Sequence, residues 1–153
     1  MGTLTLRPEA WVHAVSTARA AEAEQGEDFD SLPESRRLAL IHAQLSRQIT
    51  LMFKRWRKSG HQFRYLVVLE MHISGVIHYH VLLHEVDADK PMRHRHLSTG
   101  WPLGFTKWKL ADSGAAWYVA KYLTKTLLAR VRASQGYGGE IPPKEQGDYK
   151  HKF

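Results

Sequence analysis

The chain has no cysteine, which excludes a disulfide frame and any thiolate metal site. No apolar run approaches the roughly 20 residues that a membrane-spanning helix needs. The start carries no secretory leader pattern, so the expected location is the cytoplasm, with no membrane partner. Acidic residues are short: 15 Asp and Glu against 22 Lys and Arg leave a formal net charge of +7. That balance favours a nucleic-acid partner. With 153 residues, 43% of them hydrophobic, the chain suffices for one well-buried domain but not two.

What is present is more pointed. Val76-Ile-His-Tyr-His-Val-Leu-Leu-His84 is an apolar run with two histidines one residue apart. On a strand, alternate side chains share a face, so His78 and His80 point one way while Ile77, Tyr79, Val81 and Leu83 point the other. Upstream, Arg64-Tyr-Leu-Val-Val-Leu-Glu-Met-His72 has the branched and aromatic content of a second strand. Ile73-Ser74-Gly75 between them suits a hairpin loop ending in a left-handed glycine. In that register His72 faces Val76, and Glu70 faces His78 and lies diagonal to His80. Cross-strand neighbours on one face are about 4.5 to 8 Å apart, close enough for a carboxylate and two imidazoles to share Mg²⁺, Mn²⁺ or Zn²⁺ with open positions left for a substrate. Partly exposed strand histidines with no metal would carry the same pattern, since the chain has ten histidines.

Asp112 to Arg132 has helical spacing, with Asp112 or Ser113 as N-cap and Arg130 and Arg132 at its end. Ala116, Val119, Ala120, Leu123, Leu127 and Val131 gather on one side at about 100° per residue. Tyr118, Lys121, Tyr122 and Lys125 fall on the other. Each tyrosine thus has a lysine three residues on. A phenolate attacking a phosphodiester needs such an arrangement, because a free tyrosine has a pKa near 10 and a neighbouring ammonium or metal favours its ionised form. A surface helix whose tyrosines cover neighbouring groups would show the same spacing.

In this order, Glu70, His78-Tyr79-His80 and Tyr118-Val-Ala-Lys-Tyr-Leu-Thr-Lys125 resemble the HUH endonucleases, and in particular the dual-tyrosine rolling-circle replication initiators of small single-stranded DNA phages and related prophages. Leu4-Thr5-Leu6 resembles the family's first strand motif, and Trp101-Pro-Leu-Gly104 the Trp-x-x-Gly that precedes its tyrosine segment. The resemblance spans Thr3 to Lys125. It implies that His78, His80 and Glu70 hold a divalent ion, Mg²⁺ or Mn²⁺, with His72 able to replace or supplement Glu70. It implies that Tyr118 or Tyr122 attacks the scissile phosphate to leave a 5′-phosphotyrosine and a free 3′-hydroxyl, with Lys121 and Lys125 offsetting the charge that develops. The partner so implied is single-stranded DNA at a replication origin, with a host helicase as a further expected partner, and the location is the host cytoplasm if the gene belongs to a phage.

The remaining segments fill in the architecture. Thr3 to Leu6 reads as a first strand and Glu9 to Ala23 as a helix. Ser31-Leu-Pro-Glu34 reads as a capping box for a long helix reaching Lys58, with Leu38, Ile41, Leu45, Ile49, Met52, Phe53 and Trp56 at helical spacing. That helix ends in Lys54, Arg55, Arg57 and Lys58, either phosphate contacts with Trp56 packing or stacking among them, or charges complementing the helix dipole. Arg93 and Arg95 sit in an expected basic loop. Phe105 to Leu110 alternates as a strand with Phe105, Lys107 and Lys109 on one face. Residues 134–153, rich in Gly, Pro and Lys, read as a tail behind a nuclease domain of residues 1–133. The fold expected is α+β, a central antiparallel sheet carrying the His-x-His strand and packed with helices. Three other readings remain open: a single-tyrosine transposase or relaxase of the same chemistry, a non-catalytic single-stranded DNA-binding protein, and a metal-dependent hydrolase that uses water.

Overall fold

Alternating burial along the first strand sets the plan of the molecule: Leu4 and Leu6 are buried on one side while Thr3 and Thr5 look to the other. The structure, a computed structural model, describes residues 1–71, 75–111, 114 and 130–137. In it β1 (Gly2–Leu6) is followed by α1 (Pro8–Ala23), α2 (Glu34–Lys58), β2 (Phe63–Met71), β3 (Ile77–Glu85), α3 (His94–Thr99), β4 (Gly104–Trp108) and β5 (Val131–Ala133). The strands form one antiparallel sheet in the order β4-β1-β3-β2-β5. This is the α+β arrangement expected.

Both long helices cover the same face of the sheet. Ile41, Leu45, Ile49, Met52, Phe53 and Trp56 of α2 are all buried and share one core with Leu4, Tyr65, Val67 and Tyr79 of the sheet. The α2 stripe predicted from its spacing is therefore the face that packs, and burying each such side chain contributes about 1.5–3 kcal/mol. The opposite face carries a smaller cluster, Val68 and Leu82 with Met1, Leu66 and Tyr137 against them.

The Trp-x-x-Gly motif has a plain structural use. Trp101 is buried and donates its indole N–H to the Thr5 carbonyl at 3.0 Å. Gly104 then starts β4 so close to β1 that a Cβ would lie 1.9 Å from the Thr5 oxygen, so only glycine fits.

Four expectations are corrected. Ser31 does not cap α2: its hydroxyl bonds the Asp28 carbonyl in a separate turn, and α2 starts after Pro33 with no side-chain cap. Arg93 to His96 is not a loop, because Arg93 caps α3, whose Ser98 and Thr99 hydroxyls return to the His94 and Arg95 carbonyls. Val131 and Arg132 are not helical as expected, since Val131–Ala133 pairs with Leu66 to Val68 of β2. Trp56 does not stack on a ligand, because it is buried with Phe53, Phe63 and Trp108 around it. In addition, Ser134 to Tyr137, at the head of the expected tail, is tied to the sheet: the Ser134 hydroxyl accepts from the Tyr65 N–H, and Tyr137 packs on the smaller cluster.

Candidate functional site

The hairpin register is the one the alternation required. Glu70 pairs with His78 and Val68 with His80, and Gly75 has φ +80° at the end of the loop. On the other side of β3, Thr5 pairs with His78 and Thr3 with His80. Glu70, His78, His80, Thr3 and Thr5 thus share the face that α1 and α2 leave bare. His72 lies outside the described residues.

Glu70 reaches diagonally to His80, with Oε2 2.6 Å from Nε2. His80 is buried, Glu70 and His78 half-buried. Thr3 Oγ1 stands 3.4 Å from the other ring nitrogen of His80. A neutral imidazole has one donor and one acceptor nitrogen, so a ring donating from Nε2 to the carboxylate accepts at Nδ1 from the threonine. Val68 and Leu82, both buried, wall this pair, and a low-dielectric wall strengthens such a contact.

Two imidazoles and a carboxylate on adjacent strands are donors of the mixed kind that can hold a divalent ion, with the Thr3 hydroxyl beside the second nitrogen of the His80 ring. As they stand, Glu70 and His80 bond each other, and among the described residues no three His, Asp or Glu side chains are gathered tightly enough to hold an ion. Two ligand atoms at neighbouring positions of a Mg²⁺ site are about 3 Å apart, given bonds of about 2.0–2.1 Å. The pair would therefore open by a few tenths of an ångström, a side-chain adjustment within reach of a half-buried glutamate.

The candidate DNA contacts divide between the two faces. Lys107 pairs with Thr3, which puts Lys107, Thr3 and His80 in one row across three strands. Lys109 follows β4, where its carbonyl accepts from the N-terminal amine at 2.8 Å. Phe105, exposed, stands on the same face as Lys107. A cavity of about 670 Å³ is lined by residues of both sheet faces, among them Leu82 and Tyr137 of the one and Leu83 and Trp108 of the other. By contrast, Lys54, Arg55, Arg57 and Lys58 belong to the helix layer on the far side of the sheet. There Arg57 lies over the Phe63 ring at 4.9 Å and Arg55 donates to the Gly100 carbonyl at 3.1 Å. Arg93 and Arg95 are exposed at the start of α3. Tyr118, Lys121, Tyr122 and Lys125 lie outside the described residues.

Thr3 and Thr5 were not singled out as site residues, although their alternation with Leu4 and Leu6 could have marked them. His42 was also missed, having no motif around it. It comes from α2 on the helix side, where its Nδ1 lies 3.0 Å from the Tyr79 hydroxyl. Burial, together with the nearby Arg130 and Arg132, lowers the pKa of His42 to about 4. Burial also pushes the Tyr79 phenol well above its ordinary range. Tyr79 therefore keeps its proton and shares a hydrogen bond with a neutral His42.

The family model for the replication-associated protein ORF2/G2P matches residues 1–127. The chain belongs to this replication-associated protein family, and its role is in DNA replication. No curated protein and no solved structure gives a significant match. Among the described residues no helix is long and apolar enough to cross a membrane.

Proposed function

We propose that the chain is an HUH-type endonuclease that nicks and rejoins single-stranded DNA at a replication origin. The observation that carries this reading is the pairing of Glu70 with His78, with His80 in contact with Glu70, on the face of the sheet opposite α1 and α2. Chain topology supports it: Ala111 follows one edge strand and Arg130 precedes the other. The intervening residues, in sequence, include Tyr118 and Tyr122.

In this reading a phenolate oxygen of Tyr118 or Tyr122 attacks phosphorus. The bond to the 3′-oxygen breaks, that oxygen takes up a proton, and a 5′-phosphotyrosine ester forms. The energy of the broken bond is conserved in the new ester, so a 3′-hydroxyl can later reverse the step and rejoin the strand. His78, His80 and Glu70 would hold Mg²⁺ or Mn²⁺, which when bound supplies Lewis-acid polarisation of a phosphate oxygen. Thr3 fixes the His80 ring, Lys107 adds positive charge in the same row, and Lys121 and Lys125 favour the phenolate. A host helicase would supply the unwound strand.

The closed contact between Glu70 and His80 favours a second reading, a non-catalytic single-stranded DNA-binding protein in which the pair is structural. Incubation with a randomised, labelled single-stranded library and Mn²⁺, followed by denaturing electrophoresis, separates the two. A label that stays with the protein after denaturation supports the endonuclease, and non-covalent binding with intact DNA supports the alternative.

A further inference from the structure

Between α2 and the edge strand β5, on the face away from Glu70 and His80, lies a second cavity of about 370 Å³. That volume falls within the roughly 300–1,000 Å³ of small-ligand pockets. Arg132 of β5 and Arg130, which precedes the strand, both line this cavity. Arg132 is held in place: its Nε donates to the Tyr65 hydroxyl at 3.1 Å and its Nη1 to Thr50 Oγ1 at 2.7 Å. Those two bonds leave the Nη2 donors of its fork for the cavity.

His42 faces the same space. Its Nδ1 is engaged with the Tyr79 hydroxyl at 3.0 Å, so Nε2 is the ring nitrogen left for the cavity. Ser46, whose hydroxyl donates to the Ala43 carbonyl at 3.2 Å, also lines the space, and Ile49 and Leu69 make an apolar floor. No carboxylate lines the cavity among the described residues. Two guanidiniums and a neutral imidazole around a half-enclosed space, with no acid among its described lining residues, favour an anion with several acceptor oxygens. Guanidinium geometry matches phosphate in particular.

We propose that this cavity binds a nucleotide phosphate, with Arg130 and Arg132 as the principal donors and the apolar floor against the attached nucleoside. The cavity stands on the other side of the sheet from Glu70 and His80. A free nucleotide and the 5′-phosphorylated end of a DNA strand offer the same group.

Titration of the full chain, followed by the His42 ring resonances, tests this with three probes: inorganic phosphate, thymidine monophosphate, and a short oligothymidylate with and without a 5′-phosphate. Saturable shifts of His42 by thymidine monophosphate are expected, with affinity reduced about tenfold or more in Arg130→Gln, the loss of a charged hydrogen bond. Ser46→Asp, which puts a carboxylate beside the arginines, should bind no probe at this site and serves if Arg130→Gln fails to fold. Tighter binding of the phosphorylated oligonucleotide than of the monophosphate identifies a strand end as the source, and the reverse order a free nucleotide. No saturable shift of His42 with any probe, or affinities unchanged in both variants, would overturn the proposal.

Discussion

Glu70 and His80 meet across a diagonal of the β2–β3 pair, carboxylate oxygen to ring nitrogen at 2.6 Å, while Glu70 directly faces His78. One carboxylate thus lies within reach of both histidines. Its removal should act on stability and chemistry separately. In Glu70→Ala the buried His80 loses its charged partner, at a cost of about 1–3 kcal/mol, measurable by chemical denaturation. Cleavage of single-stranded DNA should fall steeply in Glu70→Ala, His78→Ala and His80→Ala, while binding to the strand persists, because phosphate contacts elsewhere dominate affinity. Wild-type cleavage by the histidine variants in metal-limited buffer would count against the metal assignment.

Gly104 provides a test of the motif's structural use. A methyl group there would collide with the Thr5 carbonyl at 1.9 Å, so Gly104→Ala should destabilise the protein by at least the roughly 1–3 kcal/mol typical of overpacking. Trp101→Phe, which keeps the ring but removes its bond to the Thr5 oxygen, should cost less, about 1 kcal/mol. Equal denaturation midpoints for Gly104→Ala and the wild type would contradict the close approach of β4 to β1.

Stability should fall on mild acidification through His42. In the unfolded chain this group takes up a proton near pH 6.5, while in the fold burial and the adjacent arginines hold its pKa near 4. Above pH 6.5 both states are neutral and the group adds no pH dependence. Between about 6.5 and 4 the unfolded state binds the extra proton, so stability drops as pH falls. The slope is below the limit of about 1.4 kcal/mol per pH unit, because the ring is part-exposed and screened by solvent. Denaturation from pH 7.5 to 4.5 should show a shallower decline in His42→Gln than in the wild type. Identical pH profiles would refute the contribution.

The hairpin and its site were legible because period-two alternation, a glycine-ended loop and branched residues all agreed on one register. The buttress α2 was equally plain from Leu45, Ile49, Met52 and Phe53 at helical spacing. Strand β5 was hidden for a physical reason: Val131-Arg132-Ala133 continues a helical pattern, and only pairing with Leu66 to Val68, an edge invisible from sequence, draws it into the sheet. The cavity at His42 was hidden likewise, since its lining comes from α2, β2, β3, β5 and Arg130 before it. The separation of Lys54 to Lys58 from Lys107 by the whole thickness of the sheet is also a tertiary fact, because both runs are simply basic in the sequence.

The most direct test of the nicking reading is mass spectrometric mapping of the peptide that stays linked to single-stranded DNA after cleavage with Mn²⁺. The linked residue is predicted to be Tyr122, which has Lys121 and Lys125 on either side in sequence. Each single Tyr→Phe variant should keep an adduct on the remaining tyrosine, and the double variant should form none. An adduct on Tyr118 alone would reverse that ranking. A DNA-linked peptide containing neither Tyr118 nor Tyr122 would contradict the mechanism.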